Sequence, residues 1–212
     1  MLFRSPMNDD SLQIARLQTG GDQALAEAIT QIESRLQQTV ALRMDPRLSR
    51  RVDAADVLQE AFLEARKRLS RYLQEPAVPV FVWLRGVVLD TLADFHCRHL
   101  GAKMRDVTQE VYIQCPVSSQ ASSVALAALL AGDFTSPSQA AIREETVAQV
   151  EGLLDRMDQI DREVLILRHL EELSNDEVAA VLGVKKAAAS RRYMRALARF
   201  REVLLTIPGV ED

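Results

Sequence analysis

Apolar side chains recur every three or four positions along most of this chain, a spacing that predicts amphipathic helices. The first predicted helix starts with Ser11 as its N-cap, runs through Thr19 and is ended by Gly20-Gly21. The second starts at Asp22, and its apolar face is formed by Leu25, Ile29, Ile32 and Leu36. Asp45-Pro46 then predicts a break in helical structure.

Two further helices are predicted before residue 105. Asp53 is a good N-cap for the first of them. One side of that helix carries Val57, Leu58, Ala61, Phe62, Ala65 and Leu69. Pro76 and Pro79 bracket a loop over residues 72–80, YLQEPAVPV. The next helix runs from Phe81 to about His99, and its inner face is formed by Leu84, Val88, Leu92 and Phe95.

The composition changes after Arg105. Residues 116–138 are rich in Ser and Ala and nearly free of charge, which is typical of a linker, and one short helix is expected over Val124–Ala131. Ser136 and Pro137 then have the signature of a helix start. We therefore expect a first domain over 10–105, a linker over 106–137 and a second domain over 138–207. With 8 Gly and 7 Pro in 212 residues, the predicted class is all-α: two small helical domains joined by a flexible linker.

The second domain contains the pattern of a helix-turn-helix. Ser174 caps a short helix, with Glu177 three residues later completing a capping box. Gly183 supplies the backbone freedom of a tight turn. The helix after this turn has one predicted buried face, formed by Ala189, Tyr193, Leu197, Phe200 and Leu204.

The sign of the charge reverses at this turn. Residues 144–177 contain eleven acidic residues and three arginines, whereas residues 185–201 contain seven basic residues and no acidic one. Arg191, Arg195 and Arg199 step by four along the face opposite the apolar one, with Arg192 at its flank. Lys185 and Lys186 stand at the N-terminal end, where a recognition helix meets DNA. The pattern favours DNA binding over a merely solvated basic face, although the net charge of the chain is −4.

Other chemistry is weakly represented. The N-terminus lacks the apolar core of a signal peptide, and the longest apolar run is far shorter than a membrane span, so we expect a soluble cytoplasmic protein. Cys97 and Cys115 are expected to be reduced thiols. His96, Cys97 and His99 are poorly spaced for tetrahedral zinc, so no metal or other cofactor is expected.

The motifs together resemble the sigma-70 family, in particular its extracytoplasmic function (ECF) type. DAADVLQEAFLEARKRL, from Asp53 to Leu69, is similar to the polymerase-binding helix of the family. FVWLRGVVLDTLADFHCRH, from Phe81 to His99, is similar to the segment that opens and reads the minus-ten promoter element. DREVLILRHLEELSNDEVAAVLGV resembles the domain that binds the minus-thirty-five element. A branch of this family that is common in planctomycetes is further suggested by three segments: RMDPRLSRRVDAADVLQEAF, PVFVWLRG and TSPSQAAIREE.

The resemblance implies partners and residue roles. The implied partners are core RNA polymerase and promoter DNA. The polymerase contacts are the clamp coiled coil and the flap. Many members also bind an anti-sigma protein. The resemblance assigns polymerase binding to Asp53, Asp56, Gln59 and Glu60. It assigns the minus-ten element to the loop 72–80 with Tyr72, and to Trp83, Arg85, Asp90, Arg98 and His99; Lys103 and Arg105 offer further phosphate contacts. It assigns the minus-thirty-five element to Lys185, Lys186, Ser190, Arg191, Arg192 and Arg195. For Trp83, core packing is the favoured role.

The chain departs from the family pattern at both DNA-reading segments. The loop reads QEPAVP where a basic, Gly-Asp-containing sequence is common, and Asp90 stands where an asparagine is usual. In the recognition helix, Lys185 and Ser190 lie where Ser and Lys are common, and Arg191 replaces a small residue. We therefore expect atypical base preferences at both promoter elements.

Two other classes of function compete with this interpretation. One is a helix-turn-helix regulator whose helical N-terminal half senses a signal or dimerises; it has no need of a polymerase-binding helix. The other is a metal-dependent enzyme, in which magnesium is held by Asp53, Asp56, Glu60 and Glu64. A second acidic helix would have to face them, and Asp90, Asp94 and Asp106 do not provide it convincingly. The chain is therefore expected to have no enzymatic activity.

Overall fold

The computed structural model describes residues 6–100, 125–127, 147–148, 150–152, 154 and 156–204. The chain divides into two compact units, Met1–Ile113 and Gln114–Asp212. The described residues form helices and turns and include no strand, as the predicted all-α class requires. Within these ranges, no helix is long and apolar enough to cross a bilayer. The predicted helix start at Ser136, as well as Lys103, Arg105 and Cys115, lies outside the described residues.

The first helical segment, α1 (Pro6–Arg43), consists of two helices that meet at a kink, and it begins earlier than predicted. Gly21 lies in the left-handed region at φ 53°, and this is where the sequence predicts a break. The prediction that Ser11 caps the helix is wrong, because the helix already begins at Pro6 and Ser11 lies inside it. After α1 ends, residues 44–53 form the turn that Asp45-Pro46 predicts.

Two 21-residue helices complete the described part of the first unit: α2 (Ala54–Gln74) and α3 (Val80–Leu100). Asp53 caps α2 as predicted, and the predicted loop separates α2 from α3. The backbone amide of Val80 donates to the Asp10 carboxylate at 2.8 Å, so α1 supplies a hydrogen-bond acceptor to the first turn of α3.

The core of the first unit lies where α1, α2 and α3 pack together. Its buried residues are Leu17, Leu25, Ala65, Leu69, Tyr72, Val80, Leu84 and Val87. Ile29, Ile32, Phe62 and Trp83 pack against it and are partly buried. α2 contributes one apolar face to this core, so its opposite face remains available to solvent or to partners. α3 is buried on nearly all sides, and its exposed residues among those described are Gly86, Asp94, Arg98 and His99.

The second unit contains three described helices near its C-terminal end: α4 (Gln159–His169), α5 (Asn175–Val181) and α6 (Lys186–Leu204). Earlier in the unit, Ala125–Ala127 are helical, within the predicted short helix, and Leu126 and Ala127 are fully buried. Both α5 and α6 pack against α4 and against each other. Val164, Leu165, Ile166 and Leu167 of α4 are fully buried, so α4 is the central helix of this part of the unit.

Candidate nucleic-acid interface and partner surface

The helices α5 and α6 are joined by a four-residue turn that contains Gly183. Ser174 caps α5: its hydroxyl accepts from the Glu177 amide at 3.2 Å, and the Glu177 carboxylate accepts from the Ser174 amide at 2.7 Å. Gly183 has φ +62°, a conformation that favours glycine. The predicted capping box and the predicted turn are therefore both confirmed, and together they define a helix-turn-helix.

The inward face of α6 is narrower than predicted. Ala189, Ala196 and Phe200 are buried, whereas Tyr193 and Leu197 are only partly buried, and the side chain of Leu204 lies outside the described residues. The sequence analysis missed Ala196, since alanine carries little hydrophobic signal. Small residues on this face let α6 approach α4 closely.

The first turn of α6 is fixed to the first turn of α5. The Asn175 side-chain amide donates to the Lys186 carbonyl at 3.3 Å and to the Ser190 hydroxyl at 3.0 Å. The Lys186 ammonium forms an ion pair with the Asp176 carboxylate at 2.8 Å. Two of the predicted DNA-binding residues, Lys186 and Ser190, therefore also anchor α6.

Arg195 and Arg199 are exposed, as Arg191 is, but both also form ion pairs that their spacing does not indicate. Both guanidinium groups bind the carboxylate of Asp161, in the first turn of α4, at 3.2 and 2.8 Å. Asp161 is 1% exposed, while the two arginine side chains are about half exposed. The spacing of four places both arginines on the flank of α6 that faces α4.

The outward ridge of α6 is formed by four exposed residues: Ala187, Ser190, Arg191 and Met194. Their spacing of three, one and three positions places them on one side of the helix, as in recognition helices that lie in the major groove. Met194 is 63% exposed, more than any other large hydrophobic residue in the described part of the chain. Lys185 is also exposed, and Arg192 is half-buried beside the ridge.

At the start of α2, two of the predicted polymerase-binding residues form a capping box. The Asp53 carboxylate accepts from the Asp56 amide at 2.8 Å, and the Asp56 carboxylate accepts from the Asp53 amide at 3.1 Å. Gln59 is exposed one turn further on. Glu60 is half-buried and pairs with Arg98 of α3 at 2.8 Å. These residues form one polar surface, which continues from α2 onto α3.

A second ion pair joins the same two helices. Arg68 of α2 binds the Asp90 carboxylate at 2.5 Å, so the unusual aspartate of α3 is neutralised from α2. Glu64 pairs with Lys67 at 2.6 Å, and the adjacent cation lowers the pKa of the Glu64 carboxyl. The four carboxylates considered for magnesium thus have local partners. Among the described residues, no group of three or more His, Cys, Asp or Glu is arranged to hold a metal ion.

The predicted minus-ten residues are distributed between the surface and the core. Tyr72 is buried, and its hydroxyl donates to the Val78 carbonyl at 2.8 Å. The ring of Tyr72 stacks on Trp83 at 4.3 Å between centroids and 10° between planes. Arg85 is buried, whereas Arg98 and His99 are exposed. Tyr72 and Arg85 are therefore components of the core, in which Trp83 also packs, and the exposed Arg98 and His99 lie toward the end of α3.

Comparison with known proteins agrees with this arrangement. The family described as sigma-70, region 4 matches residues 148–200, the part that contains α4, α5 and most of α6. A probable RNA polymerase sigma factor, RfaY of Xanthomonas campestris pv. campestris, is 30% identical over 150 residues. That match covers 71% of this chain but only 34% of the relative, so the chain spans about a third of the length of RfaY.

Two further relatives are similar over most of the chain. The RNA polymerase sigma factor CnrH of Cupriavidus metallidurans is 26% identical over 94% of this chain and 96% of its own length. The ECF RNA polymerase sigma factor SigD of Mycobacterium bovis is 29% identical over 73% of this chain and 64% of its own length.

The fold and the matched region define a helical transcription protein that carries a sigma-70 region-four helix-turn-helix. The named relatives extend this similarity beyond the DNA-binding unit. Over most of its length, the chain is similar to RNA polymerase sigma factors that include one of the extracytoplasmic function type.

Proposed function

We propose that this protein binds core RNA polymerase and directs it to a class of promoters, with the first domain (10–105) at the minus-ten element and the second (138–207) at the minus-thirty-five element. The observation that carries the proposal is the pairing, in one chain, of a region-four helix-turn-helix with the capped, polar α2 surface. A conventional regulator needs only the helix-turn-helix. The protein is proposed to be cytoplasmic and to have no chemistry of its own.

Polymerase binding is assigned to the surface formed by Asp53, Asp56, Gln59 and Glu60. Asp53 and Asp56 hold the first turn of α2 in place, and Gln59 projects from the next turn. A partner with basic groups fits a surface in which three of four residues are acidic, and the clamp coiled coil is the proposed partner. The flap is the proposed partner of the second domain.

Promoter contacts are assigned to two surfaces. At the minus-thirty-five element these are Lys185, Ser190 and Arg191, with Lys186 and Arg192 beside them. At the minus-ten element, Arg98, His99 and the exposed part of the loop 72–80 contact DNA, while the stack of Tyr72 on Trp83 supports that loop. Because residues 106–137 tether the two domains, modest affinities for two elements combine through effective concentration.

Two finer assignments follow the sequence motifs. The segments RMDPRLSRRVDAADVLQEAF and PVFVWLRG support a place in the branch of these factors common in planctomycetes. Control by an anti-sigma protein is proposed from the family resemblance, since many members of that family are held in this way.

Charge reversal on α2 tests the polymerase contact. Glu60→Lys and Asp56→Lys should abolish co-purification with bacterial core RNA polymerase. Glu33→Lys is the matched control, because Glu33 is an exposed acid on α1 and the change in charge is identical. Helical circular dichroism establishes that each variant is folded. If all three variants bind core as the parent chain does, the proposed docking surface is wrong; if the parent itself does not bind, the proposed function is wrong.

Run-off transcription tests the complete function and identifies the promoter in one experiment. Core polymerase with this protein is presented with a genomic fragment library, and the transcripts are sequenced. We expect discrete start sites that share two elements upstream and are absent with core polymerase alone. Transcripts that do not depend on the added protein would contradict the proposal.

A further inference from the structure

Asp161 is the meeting point of two arginines from the recognition helix. Its Oδ1 atom accepts from Arg195 Nη2 at 3.2 Å, and its Oδ2 atom accepts from Arg199 Nη1 at 2.8 Å. The carboxylate is 1% exposed, so its negative charge is shielded from water and is balanced by the positive charges of the two arginines. It also lies in the first turn of α4, where the helix dipole favours a negative charge.

This arrangement divides the arginines of α6 into two groups. Arg195 and Arg199 each have one guanidinium nitrogen committed to Asp161 and lie on the flank that faces α4. Arg191 is exposed on the outward ridge and has no ion-pair partner among the described residues. An arginine that is paired with Asp161 has to break a charge-assisted hydrogen bond before its whole guanidinium group can bind a DNA phosphate. Arg191 has no such bond to break.

We infer that Asp161 is a specificity-determining residue of the DNA-binding surface, because it withholds Arg195 and Arg199 from indiscriminate phosphate binding. Phosphate contacts dominate non-specific affinity for DNA, whereas base contacts provide discrimination. With two of its cations held by a buried acid, α6 presents Arg191 and Met194 to the groove with a smaller non-specific background. This inference rests on the proposed role of α6 in DNA binding.

The test compares three arginines on one helix in the full-length chain. Arg191→Gln removes one positive charge that has no ion-pair partner among the described residues. Arg195→Gln and Arg199→Gln each remove one positive charge that is paired with Asp161. The probe is a fluorescein-labelled 30-base-pair duplex of random sequence, titrated by anisotropy at several salt concentrations. For Arg191→Gln we expect an affinity lower by roughly threefold or more and a slope of log K against log salt that is smaller by about one.

For Arg195→Gln and Arg199→Gln we expect changes of less than about twofold and an unchanged salt slope, because these charges are already engaged. A merely structural role for Asp161 does not predict this difference in slope. If either variant loses as much affinity and slope as Arg191→Gln, the inference is overturned.

Asp161→Asn tests the same idea in the opposite direction. The amide keeps the shape of the side chain and an acceptor oxygen but releases a charge from the pair. We expect higher affinity for the random duplex and a steeper salt slope; an unchanged or lower affinity in a variant with parental helical content overturns the inference. If this variant does not fold, the three arginine variants decide alone. If the parent chain does not bind core polymerase, the proposed function is refuted. If Arg191→Gln and Arg195→Gln reduce affinity for the random duplex equally, only this inference is refuted.

Discussion

The His96 ring on α3 accepts a hydrogen bond through Nε2 from the backbone amide of Asp45, 3.1 Å away and 51 residues earlier in the chain. The ring is buried, and this bond ties the turn after α1 to the middle of the first unit. Only the neutral imidazole has a lone pair at Nε2 to accept the bond, so protonation of His96 would break it.

Acidification should therefore destabilise the first unit through His96. Burial lowers the pKa of His96 below its ordinary value of 6.5; the Asp45 carboxylate partly opposes this effect, and Arg47 adds to it. Because the unfolded chain binds the proton more tightly, stability is full above pH 6.5 and is lost as the pH falls below it. The arginine hydrogen bond lowers the pKa of Asp45 to about 2, so Asp45 stays ionised between pH 5 and 8.

Urea unfolding between pH 8 and pH 5 measures this effect. In His96→Gln, where the amide oxygen can accept the same bond and does not titrate, we expect a flatter profile. His99→Gln, on the exposed side of the same helix, should keep the parental profile. Equal slopes in His96→Gln and the parent would show that another group is responsible.

The Asp53 cap should contribute measurably to the stability of α2. Asp53→Ala removes the acceptor for the Asp56 amide and should lower the free energy of unfolding by about 1 kcal/mol. Asp53→Ser should restore most of this loss, because serine is also a good cap. Chemical denaturation followed by circular dichroism provides the measurement. No difference between the Ala and Ser variants would contradict a capping role.

Gly183→Ala should destabilise the second unit by about 1 kcal/mol, through backbone conformation alone. A Cβ atom at this position would meet no atom within 4 Å, but φ +62° is unfavourable for alanine. Gly152→Ala is the matched control: Gly152 is helical, exposed and equally open, so alanine should stabilise the unit by about 0.5–1 kcal/mol. Thermal unfolding of both variants should give shifts of opposite sign, and shifts of the same sign would refute the argument.

Tyr72→Phe should weaken the support of the loop between α2 and α3. The substitution keeps the stack on Trp83 but removes the hydrogen bond to the Val78 carbonyl, at a cost of about 0.5–1.5 kcal/mol. Trp83 is the sole tryptophan, so its fluorescence reports unfolding of the first unit. Tyr193→Phe, in the second unit, should leave the Trp83 transition unchanged. An equal shift in both variants would mean that this transition is not local to the first unit.

Local signals predicted most of the fold. Asp53, Ser174 and Gly183 act within a few residues of their own position, so their roles can be inferred from short patterns. Ser11 was misassigned because a good capping residue is also tolerated inside a helix when tertiary contacts extend it. Ala196 was missed because its burial depends on how closely α4 approaches.

The long-range contacts could not be predicted. Asp161 lies 34 and 38 residues before the two arginines that it binds, and nothing in their spacing indicates a shared partner. The same holds for the bond between His96 and Asp45, and for the burial of Tyr72 and Arg85. The assignments of exposed residues to polymerase and to promoter elements stay predictions, for which the structure supplies positions and neighbours.

Asn175 holds the start of α6 in place, and its hydrogen bonds do not involve Arg191 or Met194. Its amide fixes the first turn of α6 through Lys186 and Ser190, whereas Arg191 and Met194 project from the ridge without a part in that bond. Under the proposed function, single substitutions at these two positions change the preferred bases and leave the angle of the helix intact. A population of such chains can move from one set of promoters to another in small steps, with every intermediate still folded.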